Sequence, residues 1–225
     1  MGEMSTKRRV AWSVGAFAVA VSLVAVGAAA VRLAPGSAPL EVARGDDGVA
    51  TVLVSGDSLA GAFFATTPEQ GFVSLVSGAL APVQITEAAQ AHQTLTTVAA
   101  ITDVPSDVDL AIVELGTNDV GEQTPLHDFD AQYGALLDRI RASSPEAAIV
   151  CLGTWTGWGG DYDRAIESAC VGHSGRYVPL GSLFRDTANR GPEGRATFIG
   201  AGDDFHPNDL GHRAIADAIL AVLKG

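Results

Sequence analysis

VATVLVSG (49–56), VDLAIVELG (108–116) and AAIVCLG (147–153) share one design: a short apolar run rich in β-branched residues that ends on glycine. Runs that are apolar at nearly every position suit strands buried on both faces, as in a parallel sheet. The stretches between them read as helices. PEQGFVSLVSGALA (68–81) opens with Pro in its first turn. DFDAQYGALLDRIRA (128–142) places Phe129, Tyr133, Leu136, Leu137 and Ile140 on one stripe. DYDRAIESAC (161–170) also reads as helical. NDLGHRAIADAILAVLKG (208–225) closes the chain, with Asn208 or Asp209 as N-cap and Ile215, Ile219, Val222 and Leu223 facing inward. PVQITEAA (82–89) and RYVPLGSL (176–183) read as further strands. Strands separated by helices predict right-handed βαβ units, hence an α/β fold with a central parallel sheet covered on both faces. Ligands in such folds gather where the strands end.

Composition sets the outer limits. The chain has 225 residues, 47% of them hydrophobic and 18% charged, which fits one globular domain and excludes a disordered acidic chain, a disulfide miniprotein and a repeat array. A formal charge of −12 argues against a nucleic-acid partner, because neutralising phosphates needs a basic face. Residues 1–9 hold Lys7, Arg8 and Arg9, and residues 10–31 (VAWSVGAFAVAVSLVAVGAAAV) hold no charge. At about 1.5 Å per residue such a run crosses a hydrocarbon core of roughly 30 Å. Two readings of 1–31 compete, a signal peptide cleaved at Ala28-Ala29-Ala30 or an uncleaved membrane anchor, with a buried core helix as the bland alternative. Under the signal-peptide and anchor readings alike, the basic residues stay inside and the rest of the chain lies outside. Residues 32–48 (RLAPGSAPLEVARGDDG) read as a linker, leaving 49–225 as the folded domain. In an oxidising compartment Cys151 and Cys170 form a disulfide; the alternative is two buried free thiols.

Three segments at strand ends carry chemistry. Gly56-Asp57-Ser58-Leu59 follows the first strand, where a Ser hydroxyl meets the backbone N–H groups of a starting helix. Gly116-Thr117-Asn118-Asp119 follows the clearest strand, and an Asn amide there offers a donor to an oxyanion. Gly202-Asp203-Asp204-Phe205-His206-Pro207-Asn208 precedes the last helix. A neutral His206 takes the proton that a hydroxyl must lose to become a nucleophile, and Asp203, three residues earlier, orients the ring. Each segment alone reads equally as a cap or a turn. Their order along the chain is the informative feature.

With all three present, the sequence resembles the SGNH (GDSL-type) hydrolase family over roughly residues 49–225. The resemblance implies a three-layer α/β/α, flavodoxin-like fold and ester hydrolysis by Ser58, His206 and Asp203. It further implies an oxyanion hole of the Ser58 N–H, the Asn118 amide and a third donor after the second strand. That third position is usually Gly; here Ala89 stands at it, within Glu87-Ala88-Ala89-Gln90-Ala91-His92, and serves only if its φ need not be positive. His92 reads as a surface-loop histidine or as part of the rim. Asp57 reads as a brace for the turn, Asp119 and Asp204 as structural or solvent-facing, and His212 as a packing residue or a solvent contact. His127 and His173 have no partner in the pattern.

No cofactor and no metal is expected, since no ligand cluster and no phosphate-binding glycine loop is present. Trp155 and Trp158 stack on a sugar, line an acyl pocket or pack beneath their loop. Short loops at 60–67, 117–127, 154–162 and 184–202 leave little material for a lid. The expected partner is therefore a small-molecule, glycan or lipid ester with a small or short acyl group, handled by a monomer outside the cell. Two rival readings use the same fold: an acyltransferase acting on an envelope glycan, and a non-catalytic envelope-binding domain. A neutral His206 predicts activity rising with pH through roughly 6–7.

Overall fold

The computed structural model describes Met1 and residues 38–224; the apolar run 10–31 lies outside the described residues. The strands are β1 (Leu40–Glu41), β2 (Ala50–Gly56), β3 (Val83–Ala89), β4 (Leu110–Glu114), β5 (Ala148–Leu152), β6 (Arg176–Val178), β7 (Ala196–Thr197), β8 (Gly200–Ala201) and β9 (Leu223–Lys224). The helices are α1 (Phe72–Leu80), α2 (Leu95–Ile101), α3 (Thr117–Glu122), α4 (Leu126–Ser143), α5 (Gly160–Gly172), α6 (Gly181–Arg185) and α7 (Asp209–Leu220). Five strands form a parallel sheet in the order β3-β2-β4-β5-β6. β2 therefore pairs on one side with β3, Gly56 against Ala89, and on the other with β4, Gly56 against Glu114. The chain runs outward from β2 in both directions, so the crevice at the end of β2 and β4 is the switch point of the sheet.

Period-two alternation divides the buried strands between two cores. Val52, Val54, Ile112, Val150 and Leu152 pack with Phe72, Val76 and Leu80 of α1 and Ile215 and Ile219 of α7. Leu53, Ala111, Val113, Ile149 and Cys151 pack with Leu95 and Val98 of α2, Phe129 to Ile140 of α4, and Ile166 of α5. Helices thus cover both faces, which makes three layers. Cys151 of β5 and Cys170 of α5 are joined as a disulfide with an S–S distance of 2.07 Å. Closing a loop of this length stabilises the fold by about 3 kcal/mol.

Three sequence boundaries shift. The segment read as a linker contributes β1, which pairs in parallel with β9 at the far end of the chain, Leu40 against Leu223. The strand expected over 176–183 stops at Val178, because Pro179 has no N–H for the ladder, and Gly181–Arg185 turns helical. The closing helix ends at Leu220, with Asn208 as its N-cap accepting from the Gly211 N–H. Helix α2 carries two threonines and gave no helical signal, while α3 begins inside the Gly-Thr-Asn-Asp segment itself.

Candidate active site

The turn after β2 is built on close approach. A Cβ on Gly56 would stand 2.4 Å from the Ala60 Cβ, so the strand can end this tightly only on glycine. The Asp57 N–H donates to Glu114 Oε2 at 3.1 Å, and Asp57 Oδ1 accepts from the Leu59 N–H at 3.1 Å. Ser58 follows, only 4% exposed. Its Oγ lies 3.1 Å from Nε2 of His206 and 3.4 Å from Asp57 Oδ1. His206 Nδ1 lies 2.7 Å from Asp203 Oδ2, and the other Asp203 oxygen accepts the backbone N–H groups of His206 and Phe205. Since Asp203 accepts at Nδ1, that nitrogen carries the proton and Nε2 is left to accept from Ser58.

The electrostatics agree with this assignment. Burial lowers the His206 pKa below the ordinary imidazole value, more than Asp203 raises it, so the ring is neutral near pH 7. Partial burial pushes the Asp203 carboxyl up, but the His206 N–H and ring outweigh it and hold the group below its usual value. Beneath the turn, Asp57 and Glu114 are both fully buried. Burial pushes Asp57 up to about 6, and burial plus the Asp57 charge pushes Glu114 well above its ordinary value. The pair is thus pushed toward a shared proton, with the charge on Asp57 favoured by the Leu59 N–H and the Asn118 amide.

Asn118 enters the site through α3. Gly116, at φ +122° and crowded by Ile166, Phe129 and Thr154, sets the turn that only glycine adopts freely. The Asn118 amide donates to Asp57 Oδ2 at 2.9 Å and to the Gln93 carbonyl at 3.0 Å. Both of its hydrogens are thus engaged, and donation to an oxyanion requires one of these bonds to yield. Asn118 also joins the Ser58 turn to the loop after β3.

That loop corrects the reading of Ala89. β3 is the edge strand, and the Gln90 N–H donates to Gly56 O. Successive N–H groups along a strand point to opposite sides, so the Ala89 N–H faces the open edge, away from Ser58. The left-handed, glycine-like position falls three residues later, at His92, with φ +60°. Its ring meets the His206 ring edge-on, centroids 6.5 Å apart. His92 is thus both exposed and at the rim. Phe64, at φ +65°, lies 4.3 Å from the His206 ring on another side. Glu114, Phe64 and the place of His92 were missed in the sequence. The charge inside the apolar run VDLAIVELG was a usable signal for Glu114; nothing in the sequence pointed to Phe64.

The remaining residues are accounted for by structure. Asp119 is buried and accepts from the Leu95 N–H and the Thr124 hydroxyl, whereas Asp204 is exposed. His212 is buried, accepting the Phe72 N–H at Nδ1 and donating from Nε2 to the Phe63 carbonyl. His127 pairs with Asp128 in solvent, and His173 contacts Asp138. Trp155 is fully buried and donates to the Phe205 carbonyl, bracing the backbone beside His206. Trp158 is 71% exposed. Among the described residues no His, Cys, Asp and Glu cluster suits a metal ion, and no helix is long and apolar enough to cross a membrane.

Known proteins with this architecture include an extracellular lipase from Streptomyces rimosus, with TM-score 0.61 and 14% identity, covering 77% of this chain and 99% of the lipase. A variant of an acetyl-xylooligosaccharide esterase from Geobacillus has TM-score 0.60 and 16% identity, covering 82% and 99%. The esterase EstA from Pseudoalteromonas has TM-score 0.56 and 16% identity, covering 76% and 95%. At such identities these likenesses speak for the fold. No curated protein matches the sequence. The sequence profile of the GDSL-like lipase/acylhydrolase family matches residues 54–214, from the middle of β2 into α7 and across all three motifs, and the chain belongs to that family.

Proposed function

We propose that this acylhydrolase is an exported serine esterase that cleaves small or short-chain acyl esters. The observation that carries the reading is the continuous hydrogen-bond chain from Ser58 Oγ through the His206 ring to Asp203. Ser58 Oγ attacks the ester carbonyl while its proton passes to His206 Nε2. The charge that develops on the carbonyl oxygen meets the N–H of Ser58 and that of His92, neither of which donates a hydrogen bond among the described residues. Asn118 adds its amide when the Gln93 bond gives way. The tetrahedral adduct collapses as His206 returns the proton to the leaving alkoxide, giving the alcohol and an acyl-Ser58. Water then attacks with His206 as base and releases the acid and the free serine. Export is supported by the basic cluster ahead of the uncharged run 10–31, and a small acyl group by the low exposure of Ser58.

The test uses the full chain produced in an exporting host. Hydrolysis of p-nitrophenyl esters of rising acyl length is followed beside Ser58→Ala. We expect wild-type turnover greatest on the shorter acyl groups and a loss of at least about 10³-fold in the variant. Equal rates in the two proteins would remove Ser58 from the mechanism.

A further inference from the structure

Six non-glycine residues among those described have positive φ: Ala62, Phe64, His92, Asp107, Gln123 and Ser174. Gln123 and Ser174 close helices, where the left-handed conformation is routine. Ala62, Phe64, His92 and Asp107 close none; the conformation is uncommon away from glycine, and for a side chain as bulky as Phe64 it is strained. Of these, Phe64 and His92 each set a ring against His206. Phe64 lies over the imidazole with a tilt of 33°, and His92 meets it at 85°. Two turns far apart in sequence, both with positive φ, thus meet at one place in the molecule.

That place has a defined role in the reaction proposed above. His206 delivers its proton to the oxygen of the departing alcohol, so the carbon attached to that oxygen must lie beside the imidazole edge. Rings held against His206 border the alcohol half of the ester. We infer that Phe64 and His92 are the specificity-determining walls of the leaving-group side, and that they favour esters of compact alcohols over bulkier ones. This inference rests on the serine esterase reading.

Two acetate esters with the same acyl group and different alcohols, ethyl acetate and 2-naphthyl acetate, test it on the full chain. Both give the same acetyl-enzyme, so the ratio of their kcat/KM values reports only the step in which the alcohol is present. In Phe64→Gly and in His92→Gly the ratio should move at least about tenfold toward the bulkier alcohol. Glycine suits both backbone positions and each variant keeps the N–H at residue 64 or 92, so melting curves that show folded variants make the ratio a report on the side chains. A ratio within twofold of wild type in either variant overturns the assignment. If the wild type turns over neither ester nor any p-nitrophenyl ester, the esterase reading falls and takes this inference with it; turnover with an unmoved ratio removes the inference alone.

Discussion

In the reaction proposed above, His206 is the residue on which the chemistry turns, and its environment sets the working pH. The ring must be neutral to take the Ser58 proton, and burial lowers its pKa below 6.5 despite the neighbouring Asp203. The acid limb of kcat/KM should therefore have its midpoint below the ordinary imidazole value, lower than a free histidine would give. In Asp203→Asn the ring loses both its orientation and the charge that raises its pKa. We expect a fall of about 10²–10⁴-fold and an acid limb moved further down; a pH profile of both proteins checks this. An acid limb above 6.5 in the wild type would contradict the buried, neutral ring. Ser58, Asp203 and His206 could be singled out because their segments stand in order along the chain, although each segment alone reads equally as a cap or a turn. Ala89 was misread because strand direction alone does not say which way an N–H points. His92 and Phe64 were illegible as neighbours of His206, since their placement depends on two turns that meet only in space.

At the scale of elements, the β2–β4 switch point brings Ser58 and Asn118 together, while α7 brings His206 from its N-terminal side. The seating of α7 depends on His212, which accepts from the first residue of α1 and donates to the Phe63 carbonyl. Burial pushes its pKa down to about 4, so the folded protein holds it neutral while the unfolded chain takes up a proton below 6.5. The unfolded state binds more protons in that window, so stability contributed here is full above pH 6.5 and is lost as pH falls toward 4. At about 1.4 kcal/mol per pH unit the loss is on the order of 3 kcal/mol. The Asp57–Glu114 pair has the opposite sign: with raised folded pKa values, it favours folding at lower pH. The comparison of wild type with His212→Leu separates the two. The variant should be less stable at pH 7, with two buried polar groups unpaired, and should lose less on acidification. Chemical denaturation at pH 7 and 4.5 measures both, and an unchanged pH slope would rule out this role for His212. The parallel sheet and α4, α5 and α7 were legible because their apolar periods are long and regular. α2 and α6 were not, being short and held by their neighbours rather than by their own pattern.

At the scale of the whole molecule, the segment before β2 is tied to the segment after α7. β1 runs beside β9, and Arg44 donates to the carbonyls of Gly48, Leu80 and Pro82, binding the segment before β2 to the end of α1. A chain begun at Val49 loses these bonds along with the Leu40 and Val42 links to Val222 and Lys224. Compared with a chain begun at Ala38, it should melt about 4 °C lower or more, which calorimetry would show. Equal melting points would make residues 38–48 the linker that their composition suggested. The hydrogen bond between Ser58 and His206 joins positions 148 apart in the sequence. At a synthesis rate of roughly 5–20 residues per second, His206 is made about 7 to 30 s after Ser58. Throughout that interval the nascent chain carries Ser58 without the imidazole that the proposed reaction requires, so on that reading synthesis itself delays the appearance of activity.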